Sequence, residues 1–183
     1  MKPLLRFDGV SCRRGGRLLF EGLDLAVGPG EALQVTGPNG SGKSSLLRLA
    51  AGLLGSEAGK VEAAPVALAD DNLALDRELP LDRALRFWGG DVDAALAALD
   101  LTPLADVPVR LLSAGQRRRA SVARAAASGA PLWLLDEPAN GLDSASVERL
   151  GDLIEGHRSA GGAVVAASHS PLAGTWRTLE LGA

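Results

Sequence analysis

The chain has 183 residues, the size of one domain, and its formal net charge at pH 7 is −3. The acidic balance argues against a nucleic-acid partner, and the single cysteine, Cys12, excludes an internal disulfide. No stretch approaches the roughly 18 consecutive apolar residues of a membrane-spanning helix, and the first residues lack the apolar core of a secretory signal, so we expect neither.

The N-terminal part predicts a small antiparallel sheet. Residues 4–27 contain two strand-like runs joined at residues 14–17, which read RGGR. Along residues 23–27 leucine and valine alternate with other residues, which is the period of a half-buried strand.

A phosphate-binding loop is predicted next, because residues 37–44 read GPNGSGKS and match the pattern GxxxxGK[ST] in full. An apolar run at residues 32–36 predicts a buried strand before the loop, and the leucines of residues 45–54 have helical spacing after it. We expect this helix to end near Gly52 or Gly55. Glycines let successive N–H groups turn toward one anion, and the helix N-terminus adds partial positive charge. Lys43 can then reach the β- and γ-phosphates of a nucleoside triphosphate, and the Ser44 hydroxyl can ligate Mg²⁺. The predicted nucleotide-binding residues of this loop are Gly37, Pro38, Asn39, Gly40, Ser41, Gly42, Lys43, Ser44 and Ser45.

The middle of the chain changes from strand-like to helical. Two short apolar pieces within residues 59–68 are expected to be edge strands that complete the small sheet. From about residue 72 to residue 127 the pattern is helical, with Val92, Leu96 and Leu99 on one face.

Two carboxylates follow a predicted buried strand. Residues 132–135 are apolar, and Asp136 and Glu137 come directly after them. Because parallel strands end at the same sheet edge as the phosphate loop, Asp136 can hold Mg²⁺, and Glu137 can orient or deprotonate an attacking water. An acidic turn without chemistry would look the same locally, but the phosphate loop upstream favours the metal site.

The C-terminal part predicts a helix from about Ser144 and strands at residues 162–168 and 176–181. Strands that alternate with helices imply an α/β fold, with a mainly parallel sheet covered on both sides.

A resemblance to a known family rests on three further segments. Residues 112–116 read LSAGQ; alone, they predict a helix capped by Ser113, or a second group of N–H donors for an anion. In this order and spacing they resemble the signature sequence of ABC-transporter ATPases. Residues 138–143, which read PANGLD, resemble the D-loop of that family, and His169 follows a predicted strand where the family keeps its switch histidine.

The resemblance implies a P-loop NTPase of the ABC-cassette type that occupies residues 1–183 as a single domain. Residues 1–70 and 128–183 would form the nucleotide-binding core with its N-terminal antiparallel strands, and residues 71–127 a helical subdomain that touches a membrane partner. It also implies ATP and Mg²⁺ as ligands, with Glu137 and His169 acting in hydrolysis.

In this family ATP lies between two cassettes. The resemblance therefore implies a homodimer in which the phosphate loop of one chain faces Ser113, Gly115 and Gln116 of the other.

The chain lacks two residues that the family usually has, one that contacts the adenine base and one next to the Mg²⁺ site. The family usually has an aromatic residue that stacks on adenine, but residues 11–15 read SCRRG and the chain has no tyrosine. An arginine can stack instead, or the base is held loosely. The glutamine that links the Mg²⁺ site to the helical subdomain is also missing, and Asp70, Asp71 or Asn72 takes its place.

Within the family, the chain looks like the ATP-binding subunits of cytochrome c maturation systems, which are haem exporters. The similarity includes residues 12–23, residues 112–119 and the pair Phe87-Trp88. It implies a peripheral subunit on the cytoplasmic face of the bacterial inner membrane, bound to a separately encoded, CcmB-like integral-membrane permease. Direct haem binding is not expected, because the chain has no Cys-x-x-Cys-His motif.

Two alternatives share the motifs: the ATPase subunit of another ABC exporter, and a soluble ABC ATPase without a transport role. The latter normally carries two cassettes or long insertions. A GTPase is disfavoured because no Asn-Lys-x-Asp motif is present. We expect His157 to be a helix-surface residue without a role, and Arg117, Arg118, Arg119 and Arg124 to form a solvated or interface-lining helix face rather than a nucleic-acid site.

Overall fold

The computed structural model describes residues 2–182, so Met1 and Ala183 of the predicted domain lie outside the described residues. The strands are β1 (Leu5–Arg14), β2 (Arg17–Val27), β3 (Ala32–Thr36), β4 (Ala58–Ala63), β5 (Val66–Ala69), β6 (Leu132–Asp136), β7 (Ala163–Ala167) and β8 (Arg177–Glu180). The α-helices are α1 (Lys43–Ala50), α2 (Leu81–Arg86), α3 (Val92–Ala98), α4 (Ala114–Ala127) and α5 (Ser144–Ser159), with short 3₁₀ turns at Thr102–Leu104 and Val109–Leu111. Within residues 2–182 none of the helices has the length and apolarity needed to cross a bilayer.

The core of the fold is a parallel sheet of five strands in the order β5-β6-β7-β3-β8. Its strand β6 separates two hydrophobic cores, because successive side chains of a strand point to opposite faces. Leu132 and Leu134 pack with α1 and the N-terminal strands, whereas Trp133 and Leu135 pack with helices α2 to α5. Both faces are therefore covered, as in other parallel sheets, and the predicted α/β fold is confirmed.

The small antiparallel sheet has the order β2-β1-β4. The prediction that both apolar pieces of residues 59–68 complete this sheet is wrong for the second piece. Strand β4 does pair with β1, but β5 pairs in parallel with β6 at the edge of the large sheet. Pro65 separates the two strands, and Ala67 and Ala69 are buried against the helical side. A run of four apolar residues fits either sheet, so its sequence did not reveal its partner.

The helical segment is less regular than its sequence pattern predicts. Helices α2 and α3 are short, and residues 72–80 form no helix. Val92, Leu96 and Leu99 are buried together in the core shared with α4, as the pattern predicts. Helix α1 begins at Lys43 and ends at Ala50, shortly before Gly52, the nearer of the two glycines at which its end is predicted; Gly52 has a positive φ of 69°.

His157 is half-buried, so the prediction of a helix-surface residue is wrong. Its ring stacks on Trp133 of β6, with ring centroids 3.8 Å apart and an interplanar angle of 9°. The ring fills the space next to Gly162, where a side chain would collide with it. Burial lowers the pKa of His157, so the neutral ring is favoured and its role is packing.

Candidate nucleotide-binding site

The phosphate loop joins β3 to α1 and ends at Gly42, the N-cap residue of α1. The φ of Gly42 is 107°, a conformation that residues with side chains rarely adopt. A Cβ at this position would also lie only 3.1 Å from the Leu19 Cβ atom. No side chain caps α1, so the N–H groups of its first turn point to whatever anion the loop holds.

Lys43 is the first residue of α1 and is only 7% exposed. Its Nζ donates hydrogen bonds to the carbonyl oxygens of Gly37 at 2.8 Å and of Pro38 at 3.2 Å. A buried ammonium group requires such partners. The positive charge is therefore held inside the loop, at the edge of the adjoining cavity.

That cavity has a volume of about 400 Å³, within the range of small-molecule sites. It brings together residues from the phosphate loop, the hairpin β1–β2, the end of β5 and the end of β6. The lining residues are Arg14, Leu19, Asn39, Gly40, Gly42, Lys43, Ser44, Ser45, Asp71, Asp136 and Glu137. Of the predicted loop residues, Gly37, Pro38 and Ser41 do not line the cavity and form the back of the loop.

Glu137 follows β6 in a strained conformation. Its φ is +49°, in the left-handed region that non-glycine residues avoid. Its N–H donates to the Ala167 carbonyl at 2.8 Å, and its own carbonyl accepts from the Asn140 N–H at 3.1 Å. Such strain concentrates at functional sites.

His169 lies next to Glu137, with 2.9 Å between Nδ1 of the histidine and Oε2 of the glutamate. The sheet brings them together, because β6 and β7 are neighbours and Asp136 is in register with Ala167. The predicted pair of hydrolytic residues is thus assembled within one chain.

The pKa of the Asp136 carboxyl group is raised above its usual value. Burial raises the pKa of its carboxyl, a hydrogen bond from the Ser44 hydroxyl lowers it, and the negative charges of Glu137, Asp71 and Asp70 raise it again. A bound cation would offset this repulsion. The Ser44 hydroxyl and the Asp136 carboxylate are hard oxygen ligands, which suit Mg²⁺ in the presence of phosphates.

Ser113, Gly115 and Gln116 do not line the cavity of their own chain. Ser113 and Gln116 form a capping box at the start of α4: the Gln116 N–H donates to Ser113 Oγ at 3.2 Å, and the Ser113 N–H donates to Gln116 Oε1 at 2.8 Å. The Ser113 side chain is otherwise exposed. The prediction that Ser113 caps a helix is therefore confirmed. A role of Ser113 in binding a nucleotide would require a second chain.

The region expected to meet the base presents one side chain to the cavity. Cys12 is buried in the core at 1% exposure. Arg13 bonds the Glu57 carboxylate at 3.0 Å and the Gly16 carbonyl at 3.1 Å. Of residues 11–15, Arg14 alone lines the cavity. Leu19 of β2, which the sequence pattern did not single out, lines it as well.

Among the three candidates for the missing glutamine, Asp71 lines the cavity. Asp70 is mostly buried and accepts a hydrogen bond from the Asn72 N–H at 3.0 Å. The carboxylate of Asp71 is therefore the group that the structure presents beside Asp136.

The predicted solvated face is present only in part: Arg117 is exposed, whereas Arg118 and Arg119 are half-buried and Arg124 is buried. All four donate hydrogen bonds to backbone carbonyl groups of other segments. The pairs are Arg117 with Leu112, Arg118 with Asp136, Arg119 with Leu99, and Arg124 with Leu68. Arg124 is 9% exposed. These residues fasten α4 to its surroundings, a role that depends on tertiary contacts.

Comparison with known proteins gives four findings. Residues 20–140 match the ABC transporter family. The chain is 58% identical over 181 residues to the "Cytochrome c biogenesis ATP-binding export protein CcmA" of Sphingopyxis alaskensis, covering 94% of this chain and 93% of that protein. A protein of the same name from Novosphingobium aromaticivorans is 57% identical over 168 residues, covering 90% and 87%. A solved structure of an ATP-binding subunit of an ABC transporter superimposes with a TM-score of 0.87 at 20% identity, covering 98% of this chain and 88% of that one.

Proposed function

The chain belongs to the ABC transporter family, and we propose that it is the ATP-hydrolysing subunit that supplies energy for haem export in cytochrome c biogenesis. The observation that carries the ATPase function is the Glu137–His169 pair at the cavity that also holds Lys43 and Asp136. The relatives named above support the assignment to cytochrome c biogenesis.

Each residue of the site has a separate role in the proposed hydrolysis reaction. The N–H groups of the first turn of α1 and the Lys43 ammonium bind the phosphate oxygens. Mg²⁺, held by Ser44 and Asp136, would neutralise charge on the β- and γ-phosphates. Glu137 accepts the proton of the water that attacks the γ-phosphorus, the bond to the β–γ bridging oxygen breaks, and ADP and phosphate leave. His169 orients the Glu137 carboxylate.

We further propose that the active form is a homodimer. In one chain the capping-box serine faces solvent and lies outside the cavity. In a pair of chains, Ser113, Gly115 and Gln116 of one copy would close the cavity of the other, so that each site contains parts of both. A CcmB-like permease in the membrane would bind the helical subdomain, residues 71–127, and keep this subunit at the cytoplasmic face of the inner membrane.

Complementation tests the proposed function. Expression of the chain in a Sphingopyxis alaskensis strain that lacks its own export protein should restore covalent haem attachment to c-type cytochromes, measured by haem staining of gels. A Lys43→Ala chain expressed to the same level should not restore it. Failure of a chain that hydrolyses ATP in vitro would contradict the role in cytochrome c biogenesis and leave the ATPase function standing.

Base selectivity should be weak. None of the described residues that line the cavity is aromatic, and base–aromatic stacking contributes roughly 1–3 kcal/mol per base in nucleic-acid-binding proteins. We expect a preference for ATP over GTP below about a hundredfold, and tighter ATP binding by up to about tenfold in Arg14→Tyr. Competition against a fluorescent nucleotide measures both.

Arg13→Tyr is the matched control for this measurement, because Arg13 bonds Glu57 and does not line the cavity. It should leave nucleotide affinity unchanged. A larger preference of the unmodified chain for ATP would mean that another group reads the base.

A further inference from the structure

Arg118 of α4 connects two acidic segments of the nucleotide site. Its Nη1 donates to the Asp136 carbonyl oxygen at 3.1 Å, and its Nη2 donates to Asp71 Oδ1 at 2.6 Å. The Arg118 side chain is 14% exposed, whereas that of Asp71 is 91% exposed. A mostly buried cation thus holds a carboxylate that is almost fully exposed.

Asp71 lies at the border of two cavities. It lines the nucleotide cavity beside Asp136, and it lines a cavity of about 230 Å³ under α4 together with Arg118. Asp136 and Asp71 therefore face the same cavity. Asp71 therefore stands between a fixed cation and the place where Mg²⁺ fits.

The two cations would compete for one carboxylate. Coulomb attraction grows with charge, and Mg²⁺ carries twice the charge of a guanidinium group. Movement of Asp71 would cost little packing, because its side chain is exposed and residues 71–80 contain no helix or strand. Arg118 would keep its bond to the Asp136 carbonyl and lose one of the two contacts that fasten it.

We propose that Arg118 is a positioning residue that holds Asp71 away from the metal until Mg-ATP binds. On binding, Asp71 exchanges Arg118 for the metal or its water shell. The loss of this contact transmits occupancy of the site to α4, the helix that begins next to Ser113. This inference rests on the proposed function, since it requires that the cavity binds Mg-ATP.

The test is the Mg²⁺ concentration that gives half-maximal binding of a fluorescent, non-hydrolysable ATP analogue. Asp71→Asn keeps the shape of the side chain and removes its charge, so the required Mg²⁺ concentration should rise by roughly threefold or more, the size of a partly exposed charge interaction. Arg118→Gln frees Asp71, so the requirement should fall by a similar factor. Arg118→Lys keeps the charge and should lie between Arg118→Gln and the unmodified chain.

Arg110→Gln is the matched control, because it breaks an ion pair with Glu78 of similar length, 3.0 Å, away from the cavity. It should leave the Mg²⁺ requirement unchanged. Shifts of Asp71→Asn and Arg118→Gln in the same direction, or no shift in either, would overturn the inference while leaving the proposed function intact. If Arg118→Gln does not fold, Arg118→Lys and Asp71→Asn must still shift in opposite directions. An unmodified chain that binds no Mg-ATP would instead overturn the proposed function, and this inference with it.

Discussion

Glu137→Gln should stop ATP hydrolysis and leave ATP binding intact. The amide keeps the size of the side chain and its distance from His169, but it cannot accept a proton from water. Loss of a general base costs roughly 10²–10⁴-fold in rate, so residual turnover should be below about 1%. Because bound ATP is no longer consumed, the closed dimer should accumulate, which size-exclusion chromatography in excess Mg-ATP measures.

Glu148→Gln provides the control, since Glu148 is an exposed residue of α5. It should retain full turnover and show no ATP-stabilised dimer. A Glu137→Gln chain that stays monomeric in excess Mg-ATP would contradict the shared site, and one that still hydrolyses ATP would contradict the assignment of the base.

Lys43→Ala should remove productive ATP binding. The substitution deletes a buried cation that reaches into the phosphate loop, and it leaves the carbonyl groups of Gly37 and Pro38 without their donor. A hydrogen bond to a charged group contributes about 1.5–3 kcal/mol, so affinity should fall by roughly tenfold to a hundredfold or more. Isothermal titration with Mg-ATP measures the change. Lys60→Ala, at an exposed lysine of β4, should bind as the unmodified chain does.

The same variant tests whether the site is shared. Lys43→Ala and Ser113→Arg chains should each be inactive alone, because each disables both composite sites of its own dimer. A mixed dimer has one site with both defects and one with neither, so part of the ATPase activity should return on mixing. No recovery, with mixed dimers shown to form, would exclude this arrangement.

The sequence predicts those parts of the site that depend on neighbours along the chain. The phosphate loop is flanked by the strand and helix that its residues require. The acids after residues 132–135 reach the cavity because a parallel strand can end only at that edge. Ser113 and Gln116 make the capping box that their spacing permits.

Groups that depend on contacts distant in sequence were not predictable. Arg14 lines the cavity and Arg13 does not, because Arg13 bonds the Glu57 carboxylate, which is 44 residues away. The position of the Asp71 carboxylate depends on its bond to Arg118, which is 47 residues away. Strand β5 pairs with β6, where Val66 is in register with Leu132, and no local pattern indicates a partner so distant in sequence. His157 is half-buried where its ring stacks on Trp133, a residue of a different element.

The strand that ends in Asp136 has a consequence for redesign of this protein. Leu132 and Leu134 belong to one core, and Trp133 and Leu135 to the other. A substitution that changes the side-chain volume at any of these positions would disturb the packing of one core. The resulting shift of the strand would also displace Asp136 and Glu137, which follow directly. Engineers seeking tolerance to change should work on the outer surfaces of α3 and α5, where a misfit can relax into solvent. Residues 132–135 of β6 are buried, so a misfit there would displace Asp136 and Glu137, the acids proposed to bind the metal and the attacking water.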